Sequence, residues 1–387
     1  MTNQNNQNIT KTDQNTKSTN EITAEITKTK KPKIGILNGG GDCPGLNTVI
    51  DAVVKSLENE FELIGFLRGF EGLYANDWVE LNSQITSRNR WIGGSILKSV
   101  NKGNFPGKIA GGEFNQVEQQ IIQKTLEVYK NHELQGLVVL GGDGTLYTAY
   151  QLQEFGFKVI GIPKSIDNDL EATDYTFGFQ TAVEIANEAL GRLHTTGQSH
   201  DRVMILEVMG RNAGWIALNA GIAGSANIIL LPEIPFRMQK VVEVLEARKK
   251  LGKLNSTIVV SEAAHPTDHG IITKNVGKET AEIKLGGIGD FLEKYINQNT
   301  SFEARSTVLG HIQRGGSPNA FDKVLSTQLG SFAGIMLKNG QFGQMAALQN
   351  GKIVAVPLGE AVFTIKNVQK DSQILELARN VGISFGE

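Results

Sequence analysis

From Lys33 onward, short apolar runs recur along the chain: KIGIL, ELIGFL, GLVVL, KVIGIP, RVMILEVM, NIILLPE and TIVVSEA. Each is rich in Val, Ile and Leu, and its length suits a strand buried on both faces. Several are separated by segments whose apolar residues fall three and four apart. In FQTAVEIANEALGRL these are Ala182, Val183, Ile185, Ala186, Ala189, Leu190 and Leu193, the spacing of one helix face. Strands alternating with helices predict an α/β protein built from Rossmann-like three-layer domains, with mostly parallel sheets covered by helices on both faces. Ligands of such sheets collect at the carboxyl ends of the strands, where the glycine clusters of this chain fall.

Residues 1–31 break the pattern. They are almost all Asn, Gln, Thr, Lys, Glu and Ile, too poor in large apolar side chains to bury a core, and are expected to be a disordered tail without a targeting signal. The remaining length, with 40% hydrophobic composition over 387 residues, suffices for two domains. A net charge of -2 gives no reason to expect nucleic acid or a membrane as a partner, so an anionic ligand has to be held locally. Cys43 is the sole cysteine, which excludes an intrachain disulfide and a thiolate metal cluster and fits a reducing, cytoplasmic setting.

The candidate chemistry lies at the strand ends. GILNGGGDCPGLNTVIDAVV reads as a strand, a glycine-rich turn and a helix starting near Gly45 or Leu46; Gly39, Gly40 and Gly41 let backbone approach a phosphate at the helix N-terminus. The same turn also suits a purely structural role. GGDGT, from Gly141 to Thr145, repeats the design: the glycines offer backbone N–H groups, and the carboxylate of Asp143 can reach magnesium or merely cap the next helix. In IPKSIDNDL, Asp167 and Asp169 follow a strand end and can divide proton acceptance from metal organisation, unless the turn only bonds its own backbone.

Taken together and in order, GGGDCPGLN, GGDGT, PKSIDND, EVMGR and LGHIQRGGSP resemble the 6-phosphofructokinase family from about Lys33 to the C-terminal region. The resemblance implies phosphoryl transfer from MgATP to the 1-hydroxyl of fructose 6-phosphate by a phosphofructokinase fold. It implies Asp167 as general base, Ser165 and Arg211 beside the transferring group, and Asp143 and Asp169 as magnesium ligands. Donor positions are Gly41, Phe70, Lys102, Gly142, Asp143, Gly144, Thr145 and Lys164. Sugar positions are Ser165, Asp167, Asp169, Arg202, Met209, Gly210, Arg211, Glu262, Arg305, His311 and Arg314. Residues 33–178 plus 313–360 are expected to carry the donor, and 179–312 plus 361–387 the sugar. Arg202 and Arg305 are expected to reach a neighbouring subunit's site in a homotetramer.

Two departures stand out. Lys102 replaces an arginine that bridges donor and sugar in the family, keeping the charge but losing the bidentate fork. Phe70 stands where some relatives place a tyrosine against adenine. Gly144 points to ATP, since pyrophosphate-dependent members resemble GGDD, whereas Lys164 is characteristic of those same pyrophosphate users. A pyrophosphate-dependent phosphotransferase is therefore the alternative; a non-catalytic sensor on the same scaffold is a distant one. Asp51, His194 and Asn227 stand where bacterial relatives carry effector-binding charges, so little response to ADP or phosphoenolpyruvate is expected.

Overall fold

The computed structural model describes residues 31–100, 103–105, 116–272 and 285–387; apart from Lys31, the tail expected over 1–31 lies outside them. The predicted apolar runs form β1 (Lys33–Asn38), β2 (Glu62–Phe66), β4 (Leu134–Gly141), β5 (Val159–Pro163), β6 (Val203–Val208), β7 (Ile228–Leu230) and β8 (Ser256–Ser261). The strands β3 (Trp78–Leu81), β9 (Ala304–Val308), β10 (Gln344–Gln349) and β11 (Lys352–Pro357) add to these; β3 is largely exposed and lacks a buried apolar run.

Two sheets result. The first has the order β11-β10-β5-β4-β1-β2-β3, parallel except where β3 and β11 close its edges antiparallel, and the second is the parallel set β7-β8-β6-β9. Thus the sheets are mostly parallel, as the alternating pattern predicts. Side chains on β4 alternate faces, because successive residues of a strand point to opposite sides. Val138 and Leu140 join one core cluster, while Leu137 and Val139 join another.

The first of those clusters lies between the sheets. It takes residues from α1 (Leu46–Leu57), α6 (Phe179–His200), α7 (Trp215–Ala223), α10 (Ala320–Lys338) and α12 (Gln373–Asn380). On the far face of the first sheet pack α2 (Phe70–Ala75), α4 (Gln119–Asn131), α5 (Asp143–Gln153) and α11 (Leu358–Val362), while α3 (Ser83–Asn89) lies against α1. On the far face of the second sheet pack α8 (Met238–Lys250) and α9 (Ile288–Asn299). Helices therefore cover both faces of both sheets.

Register brings the motif-bearing strand ends side by side. Asn38 of β1 pairs with Leu140 of β4, and Gly141 pairs with Pro163 of β5, so the three loops that follow emerge from one edge. β1 and β4 run to opposite sides of the point where the strand order reverses, which opens a crevice there. In the second sheet Val208 pairs with Ser261 and Glu207 with Val308, so the loops after β6, β8 and β9 likewise share an edge.

Glu207, in the interior of β6 and 2% exposed, accepts hydrogen bonds from the backbone N–H groups of Gly287 (3.1 Å) and Gly289 (2.8 Å). Its charge meets the positive end of α9 and satisfies donors that the helix cannot satisfy itself. Glu207→Ala, which leaves those donors buried without a partner, is expected to lower unfolding stability by about 2–4 kcal/mol in urea titration. A variant as stable as the parent would refute this role.

Candidate active site

The loop after β5 is shaped by its own polar side chains. Asn168 adopts φ 52°, a conformation that asparagine tolerates, and its Oδ1 accepts from the Thr176 N–H at 3.0 Å. The Thr176 hydroxyl donates to the Ser165 carbonyl at 2.6 Å. This folds the Asp–Asn–Asp turn so that Ser165 Oγ donates to Asp169 Oδ1 (2.9 Å) and accepts from the Asp167 N–H (3.1 Å). The turn does bond its own backbone, through Asn168, and in doing so it presents the two carboxylates.

Both carboxylates are buried, Asp167 at 4% and Asp169 at 7% exposure. Burial raises the pKa of Asp167, with Glu262 adding to the rise and Arg314, Arg211 and Lys164 opposing it. Burial raises Asp169 to about 7, reinforced by Asp167 and Asp143 and opposed by the Ser165 hydroxyl and Arg211. Asp167 Oδ1 has no hydrogen-bond partner, an uncommon state for a buried carboxylate oxygen.

Asp143 opens α5 after Gly142, and its Oδ1 accepts from the Gly144 N–H at 2.7 Å. It also stands 4.0 Å from Arg211 Nη1. Capping and site roles are thus combined in one side chain. Thr145 packs its side chain where a Cβ on Gly39 or Gly141 would collide with it, at 2.8 Å and 2.4 Å respectively, so it wedges the two glycine loops together.

Across from these groups stand the loops of the second sheet. Arg211 takes φ 50°, its N–H donates to Glu262 Oε1 at 3.1 Å, and its half-exposed side chain faces the carboxylates. Burial pulls its pKa down, but Asp143, Asp167, Asp169 and Glu262 outweigh that and raise it. Gly210, at φ 150°, has no space for a side chain: a Cβ there would lie 2.5 Å from the Ala213 carbonyl oxygen. Met209 packs on the central core. Burial raises Glu262, and Glu207 adds to the rise against the N–H groups of Arg211 and Gly210. Arg314, from the 3-10 turn Gly310–Arg314, donates to the Asp42 carbonyl at 3.1 Å and packs over Gly41.

Lys164 is 4% exposed and donates from Nζ to the Gly41 carbonyl at 2.5 Å, bracing the glycine loop from within the protein. Burial lowers its pKa. Cys43 lies beside it, buried, with its thiol pushed far up by that burial. A cavity of about 360 Å³ lies in front of the loop, lined by Gly40, Gly41, Asp42, Ser99, His311 and Arg314 among others.

Not every expected residue joins this cluster. The ring of Phe70 is 5% exposed and packs on Phe105 with centroids 5.3 Å apart. Lys102 lies outside the described residues. Arg202 and Arg305 stand at the opposite ends of β6 and β9 from Arg211 and His311, a strand length of about 20 Å away. Both pair there with Glu303, at 2.9 Å and 2.5 Å. Asp51, His194 and Asn227 are each engaged internally: Asp51 with Lys55 and Thr86, His194 with the Gly224 carbonyl, and Asn227 with the Thr257 N–H.

Sequence reasoning passed over Asn38 and the segment Ser95–Ser99. Asn38 Nδ2 donates to the Lys98 carbonyl at 2.7 Å, and its Oδ1 accepts from Ser95 Oγ at 2.6 Å. The glycine pair Gly93–Gly94 ahead of that segment was the available signal.

Among the described residues no cluster of three or more acidic, His or Cys side chains could hold a metal ion. Magnesium keeps several waters and needs only one or two carboxylates besides substrate phosphates, so the mutually repelling Asp143 and Asp169 fit it.

The phosphofructokinase family model matches residues 33–337. The chain is 46% identical over 363 residues to ATP-dependent 6-phosphofructokinase 2 of Clostridium perfringens, covering 92% of this chain and 98% of that one. It is 42% identical over 359 residues to a pyrophosphate–fructose 6-phosphate 1-phosphotransferase of Streptomyces coelicolor, covering 92% and 100%. Pichia pastoris phosphofructokinase in the T-state superposes with a TM-score of 0.73 at 28% identity over 86% of this chain, which spans only 35% of that longer chain. The chain belongs to the phosphofructokinase family.

Proposed function

We propose that the protein transfers the γ-phosphoryl group of ATP to the 1-hydroxyl of fructose 6-phosphate, as a cytoplasmic homotetramer. The observation that carries this reading is the buried, unpartnered Oδ1 of Asp167, whose pKa burial raises while Arg314 and Arg211 oppose the rise. Such an oxygen is placed to accept a hydroxyl proton while the nucleophile is aligned.

In this reading Asp167 takes the proton of the sugar hydroxyl as its oxygen bonds to the γ-phosphorus. The bond to the bridging oxygen breaks, and ADP leaves. Arg211 compensates charge that spreads over the transferring group, and Ser165 keeps the turn in register. Asp143 and Asp169 are the residues to hold magnesium, which supplies neutralisation of phosphate charge. The first sheet with its loops, 33–178 plus 313–360, serves the donor, and 179–312 plus 361–387 serves the sugar. Glu262 accepts from sugar hydroxyls, and His311 and Arg314 bind its phosphate. Arg202 and Arg305 stand at the opposite strand ends from Arg211 and His311 of their own chain, which supports their service to a neighbour's site.

Relatives named for either donor match this chain almost equally well, so the donor is argued from the site. Gly144 adds no carboxylate beside Asp143; an aspartate there would join a buried cluster that already raises Asp169. Lys164, the feature shared with pyrophosphate users, is occupied with the Gly41 carbonyl and acts as a loop brace.

Supplying fructose 6-phosphate with ATP or with pyrophosphate in separate tubes at equal subsaturating concentration tests the donor. Faster formation of fructose 1,6-bisphosphate from ATP is expected, with Gly144→Asp sharply reducing it; faster formation from pyrophosphate overturns the assignment. A second expectation concerns pH. The folded Asp169 carboxyl titrates near 7 against 3.8 for an ordinary one, so it holds a proton that the unfolded chain has released. Its effect on stability is therefore least unfavourable at acid pH and worsens as pH rises to about 7. With metal chelated, Asp169→Asn is expected to melt about 2–4 °C above the parent at pH 8, a gain that shrinks toward pH 5. A pH-independent difference in melting temperature contradicts it.

A further inference from the structure

Asn168, Arg211 and Lys98 all adopt left-handed backbone at the cleft, with φ of 52°, 50° and 58°. Such conformations are unfavourable for residues with a Cβ and persist where the surroundings impose them, commonly at functional sites. Asn168 and Arg211 shape and charge-balance the catalytic turn. Lys98 has no such assignment, although a glycine would occupy its position without strain.

Its backbone is held on both sides. The Lys98 N–H donates to the Ser95 carbonyl at 3.1 Å, and its own carbonyl accepts from Asn38 Nδ2 at 2.7 Å. The next residue, Ser99, donates its hydroxyl to the Gly40 carbonyl, and Leu97 accepts from the Arg68 N–H at 2.8 Å. Lys98 is thereby fixed to the end of β1 and to the phosphate loop. Its exposed side chain lines the same 360 Å³ cavity as Gly40, Gly41, His311 and Arg314. Arg314 already donates to the Asp42 carbonyl and Lys164 to the Gly41 carbonyl, whereas among the described residues no hydrogen bond or ion pair holds the Lys98 ammonium.

We propose that Lys98 is a donor-phosphate-binding residue: the anchored left-handed backbone presents its ammonium to the polyphosphate of the nucleotide. This rests on the phosphoryl-transfer reading of the cleft. The donor is favoured over the sugar phosphate because the tethers of Lys98 run to Asn38 and Ser99–Gly40, on the donor side, and not to the His311–Arg314 turn. A lysine suits a flexible chain of phosphates, since its ammonium acts as a point charge without a fixed fork.

Lys98→Gly separates this role from a structural one, because glycine relaxes the backbone while removing the charge. Full-length parent, Lys98→Gly and Lys98→Arg are compared by calorimetric titration with ATP and with inorganic pyrophosphate, by thermal melting and by steady-state kinetics. Lys98→Gly is expected to melt no lower than the parent yet to bind ATP about tenfold or more weakly. The KM for ATP rises in parallel, the KM for fructose 6-phosphate stays near the parental value, and Lys98→Arg retains most of the binding. Unchanged ATP affinity in Lys98→Gly, or a loss confined to the sugar, overturns the proposal alone. A parent that binds neither ATP nor pyrophosphate overturns the phosphoryl-transfer reading and this proposal with it.

Discussion

Mutual repulsion of buried carboxylates, balanced by guanidinium groups from the opposite sheet, is the constraint on which the rest of the site depends. Asp167, Asp169 and Asp143 come from two adjacent strand ends of the first sheet, and Arg211 and Arg314 from loops that follow strands of the second. Without the arginines the carboxylates present uncompensated buried charge, which is costly in a low-dielectric interior. Together they place negative oxygens and positive nitrogens around one small space. The raised carboxyl pKa values of Asp167 and Asp169 follow first from that burial, and the arginines oppose the rise.

The fold serves this balance through register. Because β1, β4 and β5 end side by side, three loops converge without any long connection: the glycine turn after β1, the acidic start of α5 and the Asp–Asn–Asp turn after β5. Lys164 and Thr145 then lock those loops to one another, the first through the Gly41 carbonyl and the second by filling the space left at Gly39 and Gly141. Their contribution is rigidity, which a loose phosphoryl transition state converts into alignment.

The strands buried on both faces were legible because runs such as GLVVL have no other stable use, and the glycine motifs were legible because they punctuate those runs. β3 and β9 were not, since their exposed or polar residues, such as the ARSTV of β9, carry no apolar signal and form strands only through their neighbours. Phe70 shows the limit of reading a single aromatic: whether a ring is core or ligand platform depends on Phe105, 35 positions away in sequence and unpredictable from spacing. Lys98 was hidden for a related reason. Its left-handed backbone is held by contacts to Asn38 and Gly40, residues distant in the chain, and the Gly93–Gly94 pair ahead of it marks the segment without announcing that conformation.

The central claim is that Asp167 acts as a base within a charge-balanced cluster and does little to hold the sugar. Single-turnover kinetics of Asp167→Ser with MgATP, paired with equilibrium binding of fructose 6-phosphate, addresses it most directly. Turnover is expected to fall by roughly 10²–10⁴-fold while the sugar Kd stays near the parental value. Near-parental turnover, or a loss that resides wholly in sugar binding, would contradict the claim.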